Sequence, residues 1–162
     1  MLRSTLVGTL TLVVSVAHAQ MPDAIATPGQ VGIARFHAEG AQVYECKLDA
    51  VGKLGWQFRE PIASLMADGQ TVGRHYVGPS WELNDGSFVI AKVAGNAPGA
   101  TSADIPWLRL DVTYHQGNGR LERVTTVQRI NTKGGVAPPT CATAGSFLSV
   151  PYSAEYVFLR RQ

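Results

Sequence analysis

The sequence predicts an all-β fold: a single antiparallel β-sandwich or closed β-barrel of about eight to ten short strands, with minimal helix. Three observations support it. The chain of 162 residues contains 17 glycines and 9 prolines, which indicates many turns. Apolar and polar residues alternate along several segments, as in strands that bury one face. Apolar residues make up 45% of the chain, which excludes disorder over most of its length.

The first 19 residues are predicted to form a secretory signal peptide. Arg3 supplies a positive charge, residues 6–16 form an apolar stretch broken only by Gly, Thr and Ser, and Ala17-His18-Ala19 provides the small residues that a signal peptidase reads. The apolar stretch of about 11 residues is too short for a bilayer-spanning anchor. We therefore expect cleavage between Ala19 and Gln20 and an exported protein, periplasmic or extracellular, with no stable membrane anchor.

The next residues, 20–31, contain two prolines and show little periodicity, so we interpret them as an extended lead-in. A single β domain is then expected over residues 32–162. Its clearest early strand is 53–59, where alternation places Leu54, Trp56 and Phe58 on one face.

Two hairpins are predicted from the turn signals. Asn84-Asp85-Gly86 predicts a tight turn between strands at 81–83 and 87–93. The second hairpin joins strands at 106–115 and 120–131 through Gly117-Asn118-Gly119.

Short strands at 143–149 and 152–159 complete the predicted sheet. The only predicted helix is a single turn over residues 62–67, because Pro61 precedes it and Asp68-Gly69 follows it.

Cys46 and Cys141 are the only cysteines. An even pair in an exported protein usually forms a disulfide, so we predict a bond between an early strand and a late loop. Two buried free thiols, or one catalytic thiol beside a histidine, are the alternative interpretations.

Charge and motifs exclude several function classes. Lys and Arg number 14 against 12 Asp and Glu, a net charge of +2 with no basic stripe, so a nucleic-acid partner is not expected. The sequence has no GxSxG motif, no phosphate-cradling glycine loop and no zinc-type cluster, so we expect no metal and no cofactor. Trp56, Trp81 and Trp107 would stack on a glycan if exposed, but such tryptophans more often belong to a core.

Four residues are the candidates for a small-molecule site: His75, Trp81, Glu82 and Arg129. His75 is the side chain that titrates near neutral pH, and Glu82 could pair with it. The alternative is a structural histidine beside a core tryptophan. An inward-facing Arg129 would need a carboxylate, for which Glu45 and Glu82 are candidates, and a plain salt bridge is the alternative to a functional role.

Four segments form a recognisable pattern along the chain, with Cys141 and Pro151-Tyr152 after the last: Ala38-Glu39-Gly40-Ala41-Gln42-Val43-Tyr44-Glu45-Cys46, Val72-Gly73-Arg74-His75-Tyr76-Val77-Gly78-Pro79-Ser80-Trp81-Glu82, Ile105-Pro106-Trp107-Leu108 and Val127-Gln128-Arg129-Ile130-Asn131-Thr132-Lys133-Gly134-Gly135. These segments resemble, in the same order, an exported bacterial and fungal family catalogued as "domain of unknown function 3455". The resemblance implies no activity, and the dinucleotide-binding glycine motif expected of the dehydrogenase label given to some members is absent here.

Three functions fit these observations. We rank first a non-catalytic binding module for a glycan, a small ligand or an envelope component, by analogy with other secreted β domains. A structural or stress-protective envelope protein comes second. An exported enzyme using His75 with Glu82 or Arg129 comes third. The sequence leaves the ligand and the oligomeric state open.

Overall fold

A computed structural model describes residues 21–162 and shows eight antiparallel strands closed into a β-barrel. Each strand pairs with the next along the chain, and the last pairs with the first, so the all-β prediction is confirmed, with the strands closed into a ring that is not a regular barrel. The predicted signal peptide, residues 1–19, lies outside the described residues. The strands are β1 (Gln30–Leu48), β2 (Leu54–Ala67), β3 (Gln70–Tyr76), β4 (Ser80–Leu83), β5 (Phe88–Ala97), β6 (Trp107–Gln116), β7 (Thr126–Gly134) and β8 (Phe147–Arg161).

The predicted helical turn at residues 62–67 is wrong, because this segment is the second half of β2. Its side chains alternate between the two faces of the sheet: Ala63 and Leu65 are buried, whereas Ile62 and Ser64 are exposed. Pairing with β1 on one side and β3 on the other supplies backbone hydrogen bonds that outweigh the weak helix-start signal.

The two short strands predicted at 143–149 and 152–159 are one long strand, β8, which passes through Pro151. Proline has no backbone N–H, so inside a sheet it leaves one hydrogen bond to an adjacent strand unformed. This loss is avoided where the strand has no neighbour on that side. Here the ladder between β7 and β8 stops at the pair Gly134–Tyr152, so no β7 residue lies opposite Pro151.

Before β1, the predicted lead-in contains a short 3-10 helix, Asp23–Ile25, that packs on the outside of the barrel. Ile25 is fully buried against Ala97 and Ile130. The Nε2 of Gln128 donates a 2.7 Å hydrogen bond to the carbonyl oxygen of Ile25. The segment therefore covers part of the outer face of β5 and β7.

One end of the barrel, which we call the closed end, is plugged by the loop 117–125 between β6 and β7. Leu121 and Val124 of this loop are fully buried in the core. Asp85, in the turn between β4 and β5, accepts 3.0 Å hydrogen bonds from the backbone N–H groups of Ser87 and Arg120. Burial tends to raise the pKa of Asp85, but these hydrogen bonds outweigh burial and lower it to about 2.

At the opposite, open end of the barrel, a disulfide joins Cys46 to Cys141 with a Cα–Cα distance of 5.9 Å, which confirms the predicted bond. It links the end of β1 to the loop between β7 and β8. Two backbone hydrogen bonds of 2.9 Å reinforce the link, from Cys46 N–H to Ser146 and from Gly145 N–H to Cys46. The disulfide and these bonds hold the loop against β1.

We expect removal of the disulfide by a Cys46→Ala/Cys141→Ala double substitution to lower the free energy of unfolding by about 4 kcal/mol, because the bond closes a long loop in the unfolded chain. Urea unfolding of the oxidised protein and the variant measures the difference. Equal midpoints would show that the bond contributes nothing to stability.

A second stability prediction concerns Gly40 in β1, which lies opposite Ala63 and Tyr152. A Cβ atom there would meet the Ile62 carbonyl oxygen and the backbone of Ala63, which leaves no room for a side chain. We expect Gly40→Ala to destabilise the protein by about 1–3 kcal/mol.

Gly32→Ala in the same strand is the matched control, since its Cβ would meet only Val157 Cγ1 at 3.8 Å. Urea midpoints should fall for Gly40→Ala and stay close to wild type for Gly32→Ala. Equal effects of the two substitutions would contradict the packing argument.

Candidate functional site

A cavity of about 540 Å³ lies inside the barrel at its open end. Its walls are mainly aliphatic and aromatic, with two arginines and no aspartate or glutamate among the lining residues. Residues that precede β4 and β6 form part of its rim, whereas the strands form its walls. The lining residues are Gln42, Tyr44, Phe58, Arg59, Pro61, His75, Gly78, Pro79, Trp81, Val93, Ile105, Pro106, Leu108, Leu110, Arg129 and Tyr156.

A cluster of three aromatic rings forms one wall of the cavity. The pairing of β3 with β4 places His75 directly opposite Trp81, and directly opposed residues share a face of the sheet. Their rings stack with centroids 4.5 Å apart and planes 10° apart. Tyr156 from β8 adds a third ring, 4.9 Å from His75 and 5.5 Å from Trp81. The sequence analysis named the first two of these residues and missed Tyr156.

His75 is a neutral imidazole in this setting. Its Nδ1 lies 2.8 Å from the carbonyl oxygen of Ser80, and a carbonyl can only accept, so Nδ1 carries the proton. Burial lowers the pKa of His75 to about 3; the charge of Arg129 acts in the same direction, and the hydrogen bond to Ser80 opposes both. At neutral pH this imidazole is a very weak base, which makes it poorly suited to proton transfer.

Glu82 lies on the other side of the sheet from His75. Its neighbours Trp81 and Leu83 point inward, so Glu82 points out of the barrel. There it accepts hydrogen bonds from Arg74 Nη2 at 2.8 Å and from the Tyr76 hydroxyl at 2.9 Å. The predicted pairing of His75 with Glu82 is therefore not formed, because adjacent positions on β4 face opposite sides.

Arg129 faces the cavity, since it lies opposite Leu108 on β6 and Tyr156 on β8, both of which line it. Its Nε and Nη2 donate to the carbonyl oxygen of Pro106 at 3.1 and 2.9 Å. The structure thus brings Arg129, His75 and Trp81 to one cavity and leaves Glu82 outside it.

The carboxylate partner expected for an inward Arg129 is not found among residues 21–162. Glu45 pairs with Lys47 at 2.9 Å, and Glu82 pairs with Arg74. No Asp or Glu of the described chain forms an ion pair with the Arg129 guanidinium. The expectation of an internal salt bridge for Arg129 was wrong, because both candidate carboxylates have cations of their own on their own faces.

The cavity also contains polar residues that the sequence analysis did not single out. Gln42 is 3% exposed, and its Nε2 has no hydrogen-bond partner; the indole Nε1 of Trp81 is likewise buried and unpartnered. The Tyr44 hydroxyl donates a 2.6 Å hydrogen bond to the Gly135 carbonyl, and burial raises its pKa. The sequence did contain a signal for Gln42. It is separated from Phe36 and Ala38 by even numbers of residues on β1, so it shares their buried face.

The three tryptophans do not form the exposed platform that a glycan site would use. Trp81 is 1% exposed and lies in the main core, whereas Trp107 packs against the separate cluster around Ile25 on the outer face. Trp56 is opposite Cys46 on β1.

Two general findings complete the description of residues 21–162. No group of three or more His, Cys, Asp or Glu side chains comes close enough together to hold a metal ion. No helix within the same range is long and apolar enough to cross a membrane.

Comparison with known proteins identifies a family and no individual relative. Residues 27–160 match the model of a family described as "Protein of unknown function (DUF3455)", in agreement with the resemblance seen in the sequence. Neither the curated proteins nor the solved structures gave a significant match.

The buried imidazole leads to a pH prediction. In the unfolded chain a histidine has a pKa of about 6.5. Below that pH the unfolded state therefore binds a proton that the folded state does not bind. Between pH 6.5 and the folded-state His75 pKa of about 3, this proton uptake lowers the free energy of unfolding of the wild type by about 1.4 kcal/mol per pH unit.

His75→Asn keeps an N–H donor for Ser80 but removes the titration. We expect it to be destabilising at pH 7.5, because the ring stacking is lost, and the gap to wild type should shrink as the pH falls to 4.5. Urea unfolding of both proteins across this range provides the measurement. A gap that stays constant with pH would contradict a strongly lowered pKa of His75.

Proposed function

Because the chain belongs to the DUF3455 family, whose description states no activity, we propose a function from the geometry of the barrel: the protein binds a small molecule with an apolar body in the cavity at the open end, without transforming it. The observation that carries the proposal is the cavity itself, which has a volume of about 540 Å³ and mainly apolar walls. Sites for small organic ligands are typically concave, apolar and about 300–1,000 Å³ in volume.

The barrel architecture supports this proposal. An eight-stranded barrel is just wide enough either to be filled by its own side chains or to hold one small ligand. In this chain the two halves differ: the closed end is filled by Leu121, Val124 and their neighbours, whereas the open end contains the cavity. The comparison with other ligand-binding barrels is an analogy of architecture, and the argument for this chain depends on its own cavity.

Binding fits the cavity chemistry better than catalysis does. General acid–base catalysis needs a group that exchanges protons near the working pH. His75 is held neutral by burial, and Glu82, its expected partner, is on the outer face. The lining residues therefore include no acid–base pair, and the enzymatic alternative has no support from the geometry.

An apolar ligand also fits better than a glycan. Sugars require many hydrogen bonds and usually an exposed aromatic face for stacking. In the cavity, Leu108, Leu110 and Val93 present aliphatic surface, and Trp81 is already stacked against His75. We therefore favour a small ligand over a glycan within the class of binding modules.

We also propose that the protein acts outside the cytoplasm. The Cys46–Cys141 bond supports this, because structural disulfides persist mainly in oxidising compartments. Export would place the barrel where small amphipathic molecules of the envelope or surroundings are available to it.

Binding of the neutral fluorophore N-phenyl-1-naphthylamine tests the proposal. We expect saturable binding with one site per chain, and Leu108→Trp should weaken it by about tenfold or more, because the larger ring takes up cavity volume. Ile62→Trp is the matched control, since Ile62 is 56% exposed on β2 and does not line the cavity.

Fluorescence titration measures the affinity of the fluorophore for the wild type and both variants. The control should bind within about twofold of wild type. Failure of the wild type to bind, or equal binding by all three proteins, would overturn the assignment of the cavity as the ligand site.

A further inference from the structure

We infer that the ligand of this cavity is an amphipathic anion, whose acidic head group binds Arg129 while its apolar body lies against the aliphatic wall. The inference rests on the proposed function and goes further, because it specifies the charge of the ligand. It depends on three observations: an arginine without a carboxylate, a cavity lined only by cations and neutral groups, and unpartnered donors in the wall.

The first observation is the incomplete neutralisation of Arg129. A partly buried guanidinium is costly unless an anion accompanies it. Within residues 21–162 its Nε and Nη2 donate to the carbonyl oxygen of Pro106, which occupies two of its five N–H donors and carries no full charge. The guanidinium therefore retains both a net charge and donors for a further acceptor.

The second observation is the distribution of charge around the cavity. Its lining contains two cations, Arg59 and Arg129, and no carboxylate. Arg59 is paired with Glu60 at 3.1 Å, which leaves Arg129 as the lining cation without an ion-pair partner in residues 21–162. His75 is neutral and does not compete with Arg129 for an anion. An anionic ligand would supply the charge that the described chain does not provide.

The third observation is a pair of buried donor nitrogens without a hydrogen-bond partner. The Nε2 of Gln42 and the Nε1 of Trp81 belong to lining residues that are 3% and 1% exposed, and neither atom has a partner. Buried donors in native proteins are nearly always satisfied, so unpartnered ones in the wall of a cavity need an explanation. A ligand with acceptor oxygens would satisfy them if the Gln42 and Trp81 side chains turned toward it, because both nitrogens are almost fully covered by neighbouring atoms.

The remaining walls define the rest of the ligand. Leu108, Leu110, Val93 and Ile105 offer only hydrocarbon surface. A strongly polar body would lose its hydration there without replacement hydrogen bonds. The ligand class is therefore an apolar body with a single acidic group, of which a medium-chain carboxylate is the simplest example.

The experiment compares decanoate with 1-decanol, which shares its tail but lacks the charge, by displacement of N-phenyl-1-naphthylamine at pH 7.5. Three proteins are used: wild type, Arg129→Gln and the matched control Arg74→Gln. Arg74 is suited to this control because it loses the same charge on the outer face, where it pairs with Glu82.

We expect wild type and Arg74→Gln to bind decanoate with equal affinity, and Arg129→Gln to bind it about tenfold more weakly or worse, since a hydrogen bond to a charged group is lost. Decanol should bind all three proteins within about threefold, which also shows that Arg129→Gln retains a folded cavity.

Two results would overturn the inference while leaving the proposed function intact. In one, Arg129→Gln binds decanoate as tightly as wild type does; in the other, wild type prefers decanol to decanoate. If wild type does not bind the fluorophore, the proposed function fails and the inference fails with it.

Discussion

The pairing of β1 with β8 is the interaction on which the rest of the structure depends. These two strands are the first and last of the sheet, and their antiparallel ladder runs from the pair Gln30–Arg161 to the pair Glu45–Phe147. Without it the sheet would have two long open edges, which proteins ordinarily avoid. Closure also positions the candidate site, because β1 contributes Gln42 and Tyr44 and β8 contributes Tyr156.

A closed barrel could be filled with side chains along its whole length. This barrel is filled at one end and has a cavity at the other. At the closed end, apolar residues of the 117–125 loop fill the interior, and Asp85 ties that loop to the neighbouring turn. At the open end the interior holds the polar side chains of Arg129, Gln42 and His75 around the cavity. The disulfide holds the loop beside this end in place. Apolar side chains thus fill one end, and polar groups with incomplete hydrogen bonding are found at the other, as is common for functional sites.

The sequence predicted the all-β architecture, the disulfide and three of the four candidate residues now found around one cavity. Alternation and turn chemistry are local signals, and they predicted several strands and the hairpin of β4 and β5, but not the strand at residues 62–67, the start of β7 at Thr126 or the length of β8. Glu82 was misplaced because its proximity to His75 in sequence says nothing about which face of β4 it occupies. Its immediate neighbour Trp81 is buried in the core, and the side chains of successive strand residues point to opposite sides.

Other features required the register between strands. A bulge in the β1–β2 ladder pairs Val43 with Glu60 and then Tyr44 with Phe58, so Arg59 is skipped. This shift brings both Phe58 and Pro61 to the cavity although they are three positions apart. Arg129 could be recognised as a candidate from its position in a strand, but the lack of a carboxylate partner depends on where Glu45 and Glu82 point.

The central claim is that the interior of the open end receives a ligand. Isotope-filtered NMR on the labelled protein with bound N-phenyl-1-naphthylamine tests it most directly, because it identifies the protons that the ligand contacts. The account predicts intermolecular NOEs from the ligand to the methyl groups of Leu108 and Leu110 and to the Trp81 ring. NOEs confined to exposed apolar side chains away from the cavity, such as Ile62 on the outer face of β2, would contradict it.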